Sequence, residues 1–141
     1  MTQAVLFDAG REGFLAGEID WNTATIKVDL GRGYTFDSTD KFVSDLTSHT
    51  AVATSSALSG KSVTNGVADA SDFTFSAVPA GAACTYLIIY QSSAVTGGAD
   101  VPTSQQRLIA YIDNANGLPV TPNGGDIAIT FDNGANKIFK L

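Results

Sequence analysis

CTYLIIYQ, Cys84–Gln91, is the most apolar run of the chain, and its reading decides the fold. Its large apolar residues follow one another without a polar break, so both faces of the segment are covered. A short run of this kind, rich in Tyr and Ile, is a strand rather than an exposed amphipathic helix. A strand buried on both faces lies inside a sheet, so Cys84–Gln91 is expected to be the central strand. Cys84 is the only cysteine. No internal disulfide can form, and the residue reads as a small buried hydrophobe.

Working outward, other strands fall into place. Ala24–Leu30, ATIKVDL, alternates cleanly: Ile26, Val28 and Leu30 face one way, Thr25, Lys27 and Asp29 the other. That is the pattern of a half-buried strand. Gly31–Gly33 marks a turn, and Tyr34–Phe36 is a candidate return strand. Val52, Thr54, Ser56 and Leu58 alternate with small residues, and Lys61–Val63 continues them beyond a turn. Asp72–Val78 places Phe73, Phe75 and Ala77 on one face. Arg107–Asp113, RLIAYID, is a further strand. Asp126–Asp132 and Lys137–Leu141 close the chain, joined by DNGAN, which has the chemistry of a hairpin turn. TNGVADASD and NANGLPVTPNGGD are turn-rich, and Ser92–Gln106 is the longest unpatterned stretch, read as a loop.

Helix signals are few. Leu6, Phe7, Phe14 and Leu15 recur at helical spacing, with Asp8 as candidate N-cap and Gly17 as the residue past the end. Gly10 and Gly13 weaken this helix, yet let it lie close to a sheet. Trp21 is expected to anchor the turn into the first strand. Ser38 or Thr39 is placed to cap a second short helix carrying Phe42, Val43 and Leu46. Seven to nine short strands and one N-terminal helix give a mainly β fold, an antiparallel β-sandwich or barrel-like domain, with residues 1–141 as one unit.

Composition agrees. Hydrophobic residues make up 44% and charged residues 16% of 141 positions, which excludes disorder. Glu occurs only at Glu12 and Glu18, while Thr, Ser, Asn, Asp and Gly supply most polar positions; these favour strands and turns. The net charge is −6 and Lys and Arg are not clustered, so no direct nucleic-acid binding is expected. No stretch reaches the length of a membrane span and the N-terminus has no signal-peptide pattern, so a soluble protein made in a cytoplasm is expected.

Chemistry-bearing residues are sparse. His49 is the only histidine, in the polar segment TSHTA, and reads as an ordinary surface residue. There is no nucleophile-elbow pattern. One His and one Cys do not make a structural zinc site. Asn65, Asp69 and Asp72 cluster, but without the spacing of a calcium loop. Asp126 and Asp132 read as strand-end residues. Glu12 and Glu18 are not spaced to share a helix face. No catalytic, cofactor or metal residue is therefore assigned. Trp21, Tyr34 and Tyr90 are the aromatic candidates should the domain bind carbohydrate.

Several segments read together are familiar: GREGFLAGEIDWNTATIKVDL, KFVSDL, ALSGKSVTNGVADASDFTFSAV, and above all LIAYIDNANGLPVTPNGGDIAITFDNGANKIFKL, Leu108–Leu141. They resemble a family of small tailed-bacteriophage and prophage virion structural proteins; Ser92–Gln106 carries none of the likeness. The resemblance implies a non-enzymatic part of the particle of the head decoration, or cement, type. Its expected partners are the major capsid protein and further copies of itself, as a homotrimer, on the head surface. A tail, neck or fibre position is the alternative. The chain ends in strand register, so KIFKL either closes a sheet within the domain or offers Ile138, Phe139 and Leu141 to a neighbouring subunit by strand addition.

Overall fold

A computed structural model describes residues 4–115 and 117–141. In chain order, β1 spans Val5–Leu6, α1 Asp8–Ala16, β2 Ile26–Arg32, β3 Thr50–Thr54, β4 Ser62–Thr64, β5 Val67–Asp69 and β6 Phe73–Phe75. There follow β7 Tyr86–Gln91, β8 Ser93–Ala94, β9 Gly97–Asp100, β10 Arg107–Ile112, β11 Ile127–Ile129 and β12 Phe139–Lys140. Strand accounts for 36% and helix for 11%, so the fold is mainly β with one short N-terminal α-helix.

The principal sheet is antiparallel, ordered β1-β10-β7-β2-β3. The CTYLIIYQ run supplies its middle strand, β7, all six residues of which are buried. Side-chain alternation sorts the sheet into two faces. Ile26, Val28 and Leu30 of β2 stand beside Leu87 and Ile89 of β7, with Leu30 opposite Leu87 and Val28 opposite Ile89. Two small sheets, β12-β5-β4 and β11-β6, cover this face. Ala68, Phe75, Ile129 and Phe139 from those sheets complete one dry core with it. Each buried Ile, Leu or Phe there contributes about 1.5–3 kcal/mol. The layers are sandwich-like, and the described residues form no closed barrel.

The opposite face of the sheet is buried too, beneath Phe7, Tyr34 and Leu46, which pack with Tyr86, Ile88, Tyr90, Leu108 and Tyr111. β2 is therefore not half-buried as its alternation predicts: Asp29 is 4% exposed.

The helix ends where expected, with Gly17 in the left-handed conformation at φ 73°. Its start and its buried face differ from expectation. Leu6 belongs to β1, Phe7 rather than Asp8 is the N-cap, and Leu15 is 88% exposed. The helix docks through Ala9, Gly10 and Gly13 instead. A Cβ at Gly10 would sit 2.6 Å from the Ile109 carbonyl oxygen of β10. The glycines that weaken the helix are what allow this approach.

Several connections correct the sequence reading. Ser92–Gln106 is not a plain loop: β8 and β9 pair there, and Thr103–Gln105 is a 3-10 turn. TNGVADASD holds a hairpin in which Asn65 and Gly66, both at positive φ, turn β4 into β5. DNGAN does not join a hairpin, because β11 pairs with β6 and β12 with β5. Tyr34–Phe36 forms no strand. The second helix is a single 3-10 turn, Val43–Asp45, started not by Ser38 or Thr39 but by the Asp45 carboxylate, which accepts the Phe42 backbone N–H at 2.9 Å. β3 ends at Thr54, so Ser56 and Leu58 lie beyond it.

Candidate functional site

The terminal strand is held inside the chain. Ile138 donates its backbone N–H to Ala68 at 3.2 Å and accepts that of Ala4 at 3.2 Å, while Leu141 donates to Gly66 at 3.0 Å. Ile138 and Phe139 are 1% and 2% exposed, and Leu141 is 54% exposed. The Phe139 ring stacks edge-on against Trp21, with centroids 5.3 Å apart, and lies 5.7 Å from Phe14. Of the three residues expected to meet a neighbour, Leu141 alone presents its side chain to solvent. It rims an apolar groove of about 270 Å³ whose lining includes Phe14, Ile19, Trp21, Val63 and Phe139. Val63, on the outer strand β4, is itself half exposed. A wider cleft of about 530 Å³ opens along β11 between Leu87, Leu118, Val120, Ile129 and Phe131.

The second notable constellation was not found by sequence reasoning. His49 is not a surface residue: its side chain is 8% exposed. One ring nitrogen, Nε2, lies 3.2 Å from Asp29 Oδ2, and the other, Nδ1, 2.8 Å from the Tyr86 hydroxyl. Thr54 Oγ1 donates to Asp29 Oδ1 at 2.8 Å, and the Tyr90 hydroxyl donates to the same oxygen at 3.2 Å. The backbone N–H of Tyr34 donates to the Tyr86 hydroxyl at 3.1 Å. Burial pushes the Tyr86 phenol up to about 12 and raises Tyr90 as well, where the Asp29 charge adds to the effect. A buried carboxylate is tolerated because three donors meet it. The alternation of β2 places Asp29 on one strand face with Lys27, but alternation alone does not tell a covered polar face from one open to water.

The remaining candidates are dispersed. Trp21, Tyr34 and Tyr90 are buried at 3%, 6% and 6% exposure, so they form no sugar-stacking platform. Trp21 does anchor its turn, donating Nε1–H to the Asp69 carbonyl at 2.9 Å. Asn65 serves the β4–β5 turn, and Asp72 accepts the Phe131 backbone N–H at 2.8 Å. Asp126 and Asp132 likewise accept backbone N–H groups, from Ala77 and Gly134. Glu18 pairs with Arg107, and Glu12 lies 3.8 Å from Lys41. Cys84 is buried, and burial raises its thiol. Among the described residues no three or more His, Cys, Asp or Glu side chains are grouped to hold a metal ion. No helix among the described residues is long and apolar enough to cross a membrane.

No family model, curated protein or solved structure matches the chain.

Proposed function

We propose that this chain is a non-enzymatic structural protein of a tailed-phage particle, a decoration protein that binds the outside of the head through the major capsid protein and stabilises it. The observation that carries the reading is the apolar groove rimmed by Val63 and Leu141. Exposed apolar residues gathered at one concavity are a recurrent mark of a protein-binding surface. The resemblance of Leu108–Leu141 to phage virion proteins supplies the context, and the groove uses the last residue of that segment. The sole histidine is committed to a buried network, consistent with a part that works by binding. Many copies on a symmetric shell gain avidity without tight individual contacts, and a trimer at a local symmetry axis suits that geometry.

The test is a sedimentation assay. Purified protein is added to shells of its own phage stripped of it, and bound copies per shell are counted. Saturation at a fixed ratio to the major capsid protein, weakened by Leu141→Asp and by Val63→Asp, is the expected result. Binding of a few copies or none overturns the decoration role and moves the protein to the tail or neck.

A further inference from the structure

We propose that Asp29 and His49 clamp the edge strand β3 onto the principal sheet and thereby keep that edge from pairing with a second copy of the chain. β3 is the last strand in the order, so among the described residues one of its sides carries no strand partner. Edge strands usually resist unwanted pairing with charges or proline. The stretch Thr50–Gly60 has neither, and TAVAT itself is rich in strand-forming residues. What it has instead is a bulge. Ala53 lies opposite Leu30 and Ala51 opposite Gly31, so Val52 is an extra residue with no partner on β2. A bulge bends the edge and breaks the regular ladder that another strand would need.

A bulge persists only if the strand cannot slip by one residue into regular register. Both ends of β3 are fixed to one carboxylate. His49, just before the strand, reaches Asp29 Oδ2, and Thr54, its last residue, reaches Asp29 Oδ1. A one-residue slip would pull one of them away. The imidazole is also confined: a Cβ on Gly31 would lie 2.6 Å from His49 Cε1 and 2.8 Å from Tyr86 Cε1.

The donors fix the proton positions. The Tyr86 oxygen already accepts the Tyr34 N–H, and its single proton has His49 Nδ1 at 2.8 Å. At the other nitrogen Asp29 Oδ2 is an acceptor, so His49 carries a proton on Nε2 and donates it to Asp29.

Three measurements test this: long-range proton–nitrogen NMR of His49, amide exchange of β3 and β7, and solution size by light scattering. The wild type should carry a proton on His49 Nε2. His49→Ala should exchange its sheet-bonded β3 amides roughly tenfold faster or more, as expected for loss of a hydrogen bond to a charged group. Its β7 amides should be unchanged, and species larger than those of wild type should form. Thr54→Val, a milder change at an exposed position, should speed β3 exchange alone. Adding Ala51→Lys to His49→Ala should remove the larger species while exchange stays fast. A wild-type ring without a proton on Nε2 overturns the proposal. So does unchanged β3 exchange, equal loosening of β7, or larger species that persist with Ala51→Lys.

Discussion

The two faces of the principal sheet are equally buried and built on different physics. On one, Ile26, Val28, Leu30, Leu87, Ile89, Ile109 and Ile112 meet the small sheets through shape alone. On the other, Tyr34, Tyr86, Tyr90 and Tyr111 carry hydroxyls beneath the surface, and Asp29 and His49 lie among them. A dry aliphatic face tolerates any rotamer set that fills its volume. A face with buried donors and acceptors tolerates only arrangements that pair them. The first supplies most of the burial energy. The second fixes which strand lies at the edge and in what register.

Substitutions can break this contrast. The largest effect is expected from Ile89→Ala on the dry face, about 2–5 kcal/mol lost in urea unfolding, because a fully buried side chain leaves a void. Asp29→Asn keeps the shape but replaces an accepting oxygen with an NH2 donor that faces donors; a loss of about 1–3 kcal/mol is expected in the same assay. A loss as large as that of Ile89→Ala would mean that the polar face also carries the bulk of stability.

Alkaline titration sharpens the comparison. All four tyrosines lie on the polar face, and burial raises every one of their phenols. Their folded values stand above the unfolded value of about 10, so the stability they contribute is complete below that pH. It is lost as pH rises, in the case of Tyr86 through about 12. Phenolate absorbance of the native protein should therefore stay flat through pH 10 and rise together with unfolding. A tyrosine that titrates normally in the native state would show that this face is wet.

The smallest effect is expected at the rim of the same face. Lys27 and Asp100 pair at 2.8 Å, but their side chains are 22% and 49% exposed. Asp100→Ala should cost less than about 1 kcal/mol. The Lys27 hydrogen bond holds the Asp100 carboxyl below its usual range. That small contribution is present above about pH 4 and disappears as pH falls through the folded value, a difference between wild type and variant that acid titration followed by circular dichroism can read.

What the sequence reveals divides along the same line. Cys84–Gln91, Ala24–Leu30 and Arg107–Asp113 are legible because burial on the dry face imposes alternation or continuous apolarity. Gly17 is legible because a helix end favours a left-handed residue. The β4–β5 and β8–β9 hairpins escape because their strands are short, polar or glycine-rich, and their pairing is decided by turns and docking. The destinations of β11 and β12 escape because hairpin chemistry at DNGAN says nothing about more distant partners. The burial of Asp29 and His49 is not legible in the sequence, because a polar residue on an alternating strand marks a solvent face only when nothing covers it. Of the groove, Phe139 and Leu141 were singled out for their strand register, but not Phe14, Ile19 or Val63, which only the fold brings beside them.

The bond between Ala4 and Ile138 has a consequence for the order of folding. It ties Ala4 to a segment far along the sequence, and Ile138 and Phe139 complete the dry core. Contacts of such high sequence separation are slow to form. Closure of the dry core is therefore expected to be a late step of folding, since it needs both of these distant segments in place.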